Sequence, residues 1–147
     1  MNNENKPYDL LMESYLWLAE SDRKFFGRYN LSQVRYFALK HIFQKPAISI
    51  TELSKYLLCT KGNTTRIIKG MMNDGLVTVI KDTEDQRALH IHLTKNGESL
   101  LSRVQKEFTS FNQLRLKACL HNRDCFELTM QQLREDLEKS IQELDIS

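Results

Sequence analysis

A chain of 147 residues, 41% hydrophobic and 27% charged, has the size of one domain, or of one domain carrying a helical arm. Its formal charge of +2 is too small to argue for nucleic acid by itself, and its apolar runs are too short for a transmembrane helix. The opening MNNENKPYD lacks a basic n-region and an apolar h-region, so no secretory signal is expected and the chain reads as cytoplasmic, with no membrane partner.

The distribution of charge says more than its sum. Between Glu52 and Asp74 there is no acidic residue, while Lys55, Lys61, Arg66 and Lys69 all fall there. From Glu127 to Asp145 six acids face only Arg134 and Lys139. Cys59, Cys119 and Cys125 form no CxxC pair or metal-ligand spacing, so neither a disulfide framework nor a metal site is expected. His90 and His92 alternate as strand neighbours sharing one face.

Taken in chain order, the first element follows Pro7. Tyr8, Leu11, Met12, Tyr15 and Leu16, then Phe25, Phe26 and Tyr29, recur at helical spacing. After a break near Tyr29-Asn30, LSQVRYFALKHIF predicts a second helix with Ser32 as its N-cap. It ends before Pro46, because the residue preceding a proline avoids the helical region. A short extended piece at Ala47-Ile48 leads to Ser49 and Glu52, the two members of a capping box, so a short helix spans about 50–58.

Next comes CTKGNTTRIIKGMMNDG. Its glycines do not match a phosphate loop, which needs GxxxxGK[ST] after a strand. As a helix over 61–74, it buries Thr64, Ile67, Ile68 and Met71 and turns Gly62, Thr65, Arg66, Lys69 and Asn73 outward. Thr60 can cap its start. The outward face carries cations, a hydroxyl and an amide without a carboxylate, a set suited to phosphates and base edges; a solvated basic face is the plain alternative. Gly75 stops the helix as a C′ glycine does, while the interior Gly70, at a cost of about 1 kcal/mol against alanine, permits close approach of another backbone or is simply tolerated.

Two β-rich runs follow, LVTVI and ALHIHL, joined by the polar KDTEDQR. Thr94 then caps a long amphipathic helix with apolar residues at 100, 101, 104, 108, 111, 114 and 118. After a turn near His121-Asn122 a second stripe runs through 126, 130, 133, 137, 141 and 144. Such stripes pack on other helices, and pairing with a second copy satisfies them. The expected fold is mainly α with a small β-wing: a winged helix-turn-helix plus long terminal helices.

The segment Gly75–Gly97 carries the most specific pattern: Gly75-Leu76-Val77, then Asp85-Gln86-Arg87, then Leu93-Thr94-Lys95-Asn96-Gly97. It resembles the wing of MarR-family transcriptional regulators, and ITELSKYLLCTKGNTTRIIKGM resembles their helix-turn-helix. The resemblance implies a homodimer that binds double-stranded DNA at a pseudo-palindromic operator, most often as a repressor. It assigns residues 1–30 and 98–147 to a helical dimerisation lobe and 31–97 to the DNA-binding lobe. It puts the 61–74 helix in the major groove, with Thr60, Lys61, Gly62, Asn63, Thr65, Arg66 and Lys69 at the DNA. Lys81, Asp85 and Arg87 follow from the wing, with Arg87 in or near the minor groove and Asp85 orienting cationic neighbours. Where members often carry an arginine this chain has Val79, and its wing holds Asp82, Glu84 and Asp85, which repel phosphate unless paired.

Members commonly bind small aromatic or phenolic ligands between the two lobes. Tyr15, Trp17, Arg35, Tyr36 and His41 are the candidates here, with core packing as the alternative for each. Cys59, beside the positive end of the 61–74 helix and Lys61, is a redox candidate or a small turn residue. A thiol-based sensor, and a winged-helix adaptor for other proteins that has lost DNA binding, are the competing functions. No nucleophile–base pair, metal motif or cofactor loop supports an enzyme.

Overall fold

The computed structural model describes residues 3–146. After a single 3-10 turn at Asn3–Asn5, the order is α1 (Lys6–Gly27), α2 (Gln33–Gln44), α3 (Ile50–Leu57), α4 (Lys61–Asn73), β1 (Val77–Lys81), β2 (Leu89–Leu93), α5 (Lys95–Arg115), α6 (Lys117–His121) and α7 (Arg123–Ile146). By packing, the chain divides into Met1–Gln105 and Lys106–Ser147. The lobes expected from the sequence divide it by role instead. The difference has a clear origin: the end of α1 packs on α2, with the Phe26 ring stacked 4.7 Å from Tyr36, and the early turns of α5 carry the buried Leu101 and Val104.

In the first unit each helix boundary has a local cause. Asn30 takes a left-handed φ of 54° and lets the Leu31 amide return to the Phe26 carbonyl at 3.1 Å. The Ser32 hydroxyl then accepts from the Arg35 amide and starts α2. The capping box at α3 is complete: the Glu52 amide donates to Ser49 Oγ at 3.1 Å, and the Ser49 amide donates to Glu52 Oε2 at 3.4 Å. Leu58, left-handed and exposed, ends α3. At the end of α4 the Leu76 amide reaches the Met71 carbonyl and the Gly75 amide reaches the Met72 carbonyl. That pair of bonds is a Schellman motif, and it requires the positive φ of 71° that Gly75 supplies.

Strands β1 and β2 pair antiparallel, Val77 opposite Leu93 through Lys81 opposite Leu89. Ile48, in the α2–α3 connector, forms an isolated bridge with Ile91, which turns the expected extended piece into a third rung. The core gathers Phe26, Leu39, Ile42, Ile48, Leu53, Met71, Ile91 and Val104, all fully buried. Burial of this set is the main stabilising term, at roughly 1.5–3 kcal/mol per large side chain.

The wing is anchored at its base by Thr94. Its hydroxyl donates to the Gly75 carbonyl at 2.6 Å and accepts from the Gly97 amide at 3.0 Å, while its own amide donates to the Leu76 carbonyl at 3.0 Å. A Cβ on Gly97 would run into the Leu76 carbonyl. The Leu-Thr-x-x-Gly pattern is therefore a clasp between the start of α5 and the turn that ends α4.

In the second unit the long helix expected to reach residue 121 is broken: α5 stops at Arg115 and α6 begins at Lys117. Leu116 leaves helical geometry at φ −101°, ψ 18°, though its amide still reaches Asn112. Arg115 is committed backwards, donating to Asn112 and lying over the Phe108 and Phe111 rings. Helix α7 has no buried residue, and Leu128, Leu137, Ile141 and Leu144 lie in solvent. In the first unit the α1 stripe of Tyr8, Leu11, Met12, Tyr15 and Leu16 is likewise exposed.

Candidate nucleic-acid interface

Helix α4 exposes the face expected of it. Thr64, Ile67, Ile68 and Met71 are buried, while Lys61, Gly62, Arg66, Lys69 and Asn73 are exposed and Thr65 half-exposed. The orientation is set from below: Ser54 on α3 and Thr64 on α4 meet as buried hydroxyls 3.0 Å apart, and Thr64 Oγ1 also donates to the Thr60 carbonyl. Thr60 Oγ1 accepts from the Asn63 amide at 3.2 Å. The amides of Lys61 and Gly62 precede the first helical hydrogen bond, and no atom stands where a Gly62 side chain would be. An anion can approach the helix end there.

Arg66 does not wave free. Its Nη2 donates to Asn63 Oδ1 at 2.9 Å, so Asn63 orients the guanidinium over the first turn. The Thr65 hydroxyl donates to the Lys61 carbonyl at 2.9 Å and keeps its lone pairs for an outside donor. Gly70 now has an account. A Cβ there would collide with the Arg35 guanidinium, which crosses the α4 backbone to reach Asp74 Oδ2 at 2.6 Å. The missing side chain makes the channel through which α2 grips the end of α4.

On the wing, Lys81, Asp85 and Arg87 are all exposed. Asp85 meets the Arg87 backbone rather than its guanidinium: Oδ1 accepts the Arg87 amide at 3.0 Å. Val79 is half-buried opposite Ile91, a position that suits a β-branched side chain on the packed face of the ribbon. Asp82, which the sequence offered only as a charge that repels phosphate unless paired, organises the loop. Its Oδ1 accepts from the Glu84 amide at 2.7 Å and the Asp85 amide at 3.2 Å, and its Oδ2 meets His90 Nε2 at 2.8 Å. The His90 contact and those amides bring its carboxyl down to about 2. His90 is raised in turn, first by Asp82 and then by the Ala47 carbonyl. Two of the three wing carboxylates are thus held by backbone amides or an imidazole. An Asx turn was legible in the Asp82-Thr83-Glu84-Asp85 run; the histidine, a cross-strand partner, left no local signal.

The ligand candidates do not converge within the chain. Tyr15 and Trp17 are exposed on α1, and Tyr36 is buried against Phe26, which pushes its hydroxyl pKa up. His41 stacks on Tyr56 with centroids 4.8 Å apart, and burial, then Lys40, lowers its pKa. Arg35 is engaged with Asp74. The Cys59 thiol, half-exposed, donates to the Leu57 carbonyl at 3.4 Å. Among the described residues no group of His, Cys, Asp or Glu could hold a metal, and no helix is long and apolar enough to cross a membrane.

Residues 31–89, from the start of α2 to the start of β2, match the model of the MarR family. This helix-turn-helix segment with most of its wing is of the MarR family. The chain is 29% identical over 104 residues to the homoprotocatechuate degradative operon repressor of Escherichia coli, a match spanning 68% of the chain and 70% of that repressor. Its fold is similar to that of AbsC, a MarR-family transcriptional regulator from Streptomyces coelicolor, at a TM-score of 0.83 and 19% identity, with 94% of this chain and 96% of that one covered. It is also similar to the transcriptional repressor CouR bound to a 23-mer DNA duplex, at a TM-score of 0.80 and 19% identity over 90% of this chain and 97% of that one. With its MarR-type segment, the chain is a DNA-binding transcriptional regulator.

Proposed function

We propose that this regulator acts as a homodimeric repressor on a pseudo-palindromic operator, placing α4 of each copy in the major groove and Arg87 of each wing in or near the minor groove. The observation that carries the reading is the exposed, carboxylate-free face of α4, with Arg66 aimed by Asn63. In this reading Arg66, held by Asn63, faces the bases and their flanking phosphates with Lys69 and Thr65, while Thr60, Lys61 and Gly62 present a helix end to the backbone. Lys81 and Arg87 meet phosphate or minor groove from the wing, and Asp85 shapes the approach by holding the Arg87 amide. The exposed stripes of α1 and α7 give residues 1–30 and 98–147 their role as the dimerisation lobe, since apolar faces of this extent are covered by a second copy at little cost.

A small aromatic or phenolic ligand bound between the lobes lowers operator affinity by favouring a different spacing of the two α4 helices. The regulator needs no cofactor for this and performs no catalysis.

The test is selection of bound duplexes from a random pool, followed by mobility-shift titration at fixed salt. Arg66→Ala is expected to weaken the selected duplex by about tenfold or more, as loss of a base contact does. Arg87→Ala is expected to lower affinity across sequences and to reduce the salt slope by about one. Recovery of no preferred sequence, or affinity of both variants unchanged from wild type at matched salt, would overturn the assignment.

A further inference from the structure

We infer that Asp82 and His90 are positioning residues for the wing arginine, forming with the Ala47 carbonyl a clasp that holds the wing loop in shape only while the His90 ring is doubly protonated. The His90 ring lies between two groups that can only accept. Nδ1 is 3.0 Å from the Ala47 carbonyl oxygen and Nε2 is 2.8 Å from Asp82 Oδ2. A neutral imidazole offers one donor and one acceptor; only the imidazolium offers two donors. Loss of either ring proton therefore sets a nitrogen lone pair against a carbonyl or a carboxylate.

Both acceptors are fixed. Ala47 sits at a positive φ of 65° with its amide on the Ile91 carbonyl at 3.2 Å, so its own carbonyl is tied to the strand that carries His90. Asp82 uses its other oxygen to fold the loop through the amides of Glu84 and Asp85. Asp85 in turn holds the Arg87 amide, and the Ala88 amide closes on the Asp85 carbonyl at 2.9 Å. A rotation of the Asp82 carboxylate away from a neutral ring is thus passed through two turns to Arg87. The charged groups on the elements that meet here are Lys81, Asp82, Glu84, Asp85 and Arg87 of the wing, His92 on β2, and Lys45, paired with Glu52, on the α2–α3 side. Of these, Asp82 is the one in contact with the ring.

His90 is raised, so the clasp is complete below the ordinary histidine range and opens as pH rises through the raised value. Asp82 is lowered to about 2, so its side fails only as pH falls to that level. The wing is held from above about pH 2 up to the ordinary histidine range and loosens as pH rises beyond it. The link from wing to DNA rests on the function proposed above; the clasp itself does not.

Two measurements on the full chain separate the two. In the free protein, histidine-labelled NMR titration is expected to show His90 titrating above the ordinary histidine range, with exchange protection of the Glu84 and Asp85 amides lost over the same pH interval. His90 titrating in the ordinary range, or protection indifferent to pH, overturns the clasp. On the selected duplex, affinity between about pH 6 and about pH 8.5 at matched ionic strength is expected to fall more steeply for wild type than for His90→Gln or Asp82→Asn, by about tenfold for each unit by which binding shifts the ring. Equal slopes overturn the coupling to DNA. Failure of any duplex to bind overturns the DNA link while the titration still decides the clasp.

Discussion

Replacing Gly70 with alanine places a methyl group where the Arg35 guanidinium lies. On helix propensity alone, alanine in the interior of α4 is favoured by about 0.8–1.0 kcal/mol. The obstacle is the far end of a flexible side chain, so the strain is relieved by swinging Arg35 aside and breaking its 2.6 Å pair with Asp74. That pair is partly exposed, with side-chain exposures of 26% and 48%, and is worth about 0.2–1 kcal/mol. The two effects oppose each other, and Gly70→Ala in the native sequence is expected to change stability by between about −0.2 and about +0.8 kcal/mol. In an Arg35→Met background the stem is kept and the head is gone, so the same substitution should stabilise by close to the full propensity value of about 1 kcal/mol. Equilibrium urea unfolding of the four proteins, at one protein concentration because a dimer's stability depends on it, gives the coupling energy directly. A gain from Gly70→Ala that is the same in both backgrounds would refute the claim that this glycine exists to pass the arginine.

Gly97→Ala differs in kind, because its new Cβ meets the Leu76 backbone carbonyl, which has no rotamer to escape into; a loss of about 2–3 kcal/mol in urea unfolding is expected. Thr64→Val removes a donor to the Thr60 carbonyl while Ser54 keeps its bond to the Ile50 carbonyl, so a cost of about 1 kcal/mol is expected from the same assay. Asn63→Ala should weaken the selected duplex less than Arg66→Ala, and the double variant should bind no more weakly than Arg66→Ala alone, because Asn63 acts by aiming the guanidinium. Additive losses in the mobility-shift titration would instead mean that Asn63 makes its own contact.

Much of this molecule was legible along the chain because the signals are local. The Ser49–Glu52 capping box, the Thr60 cap and the Gly75 stop each act within a few residues, and the structure carries all three. The buried face of α4 followed from period alone, residue for residue. The wing motif located a ribbon whose strands differ from expectation by about one residue at each end.

What escaped was long-range. Gly70 read as room for another backbone or as merely tolerated, because the group that uses the space is the side chain of Arg35, on another helix and 35 positions earlier in the chain. The acidic wing looked hostile to phosphate, because the partner of Asp82 is a cross-strand histidine and the partners of Asp85 and Asp82 are backbone amides in a folded turn. The break at Leu116 has no glycine or proline to announce it. The sequence by itself determined where helices start, which faces they bury and where the ribbon turns, since hydrogen bonds and periodicity over a few residues decide those. Only the tertiary structure decided which polar side chains are already engaged and which remain for DNA, because a charge's role depends on the neighbour that folding brings to within about 3 Å of it.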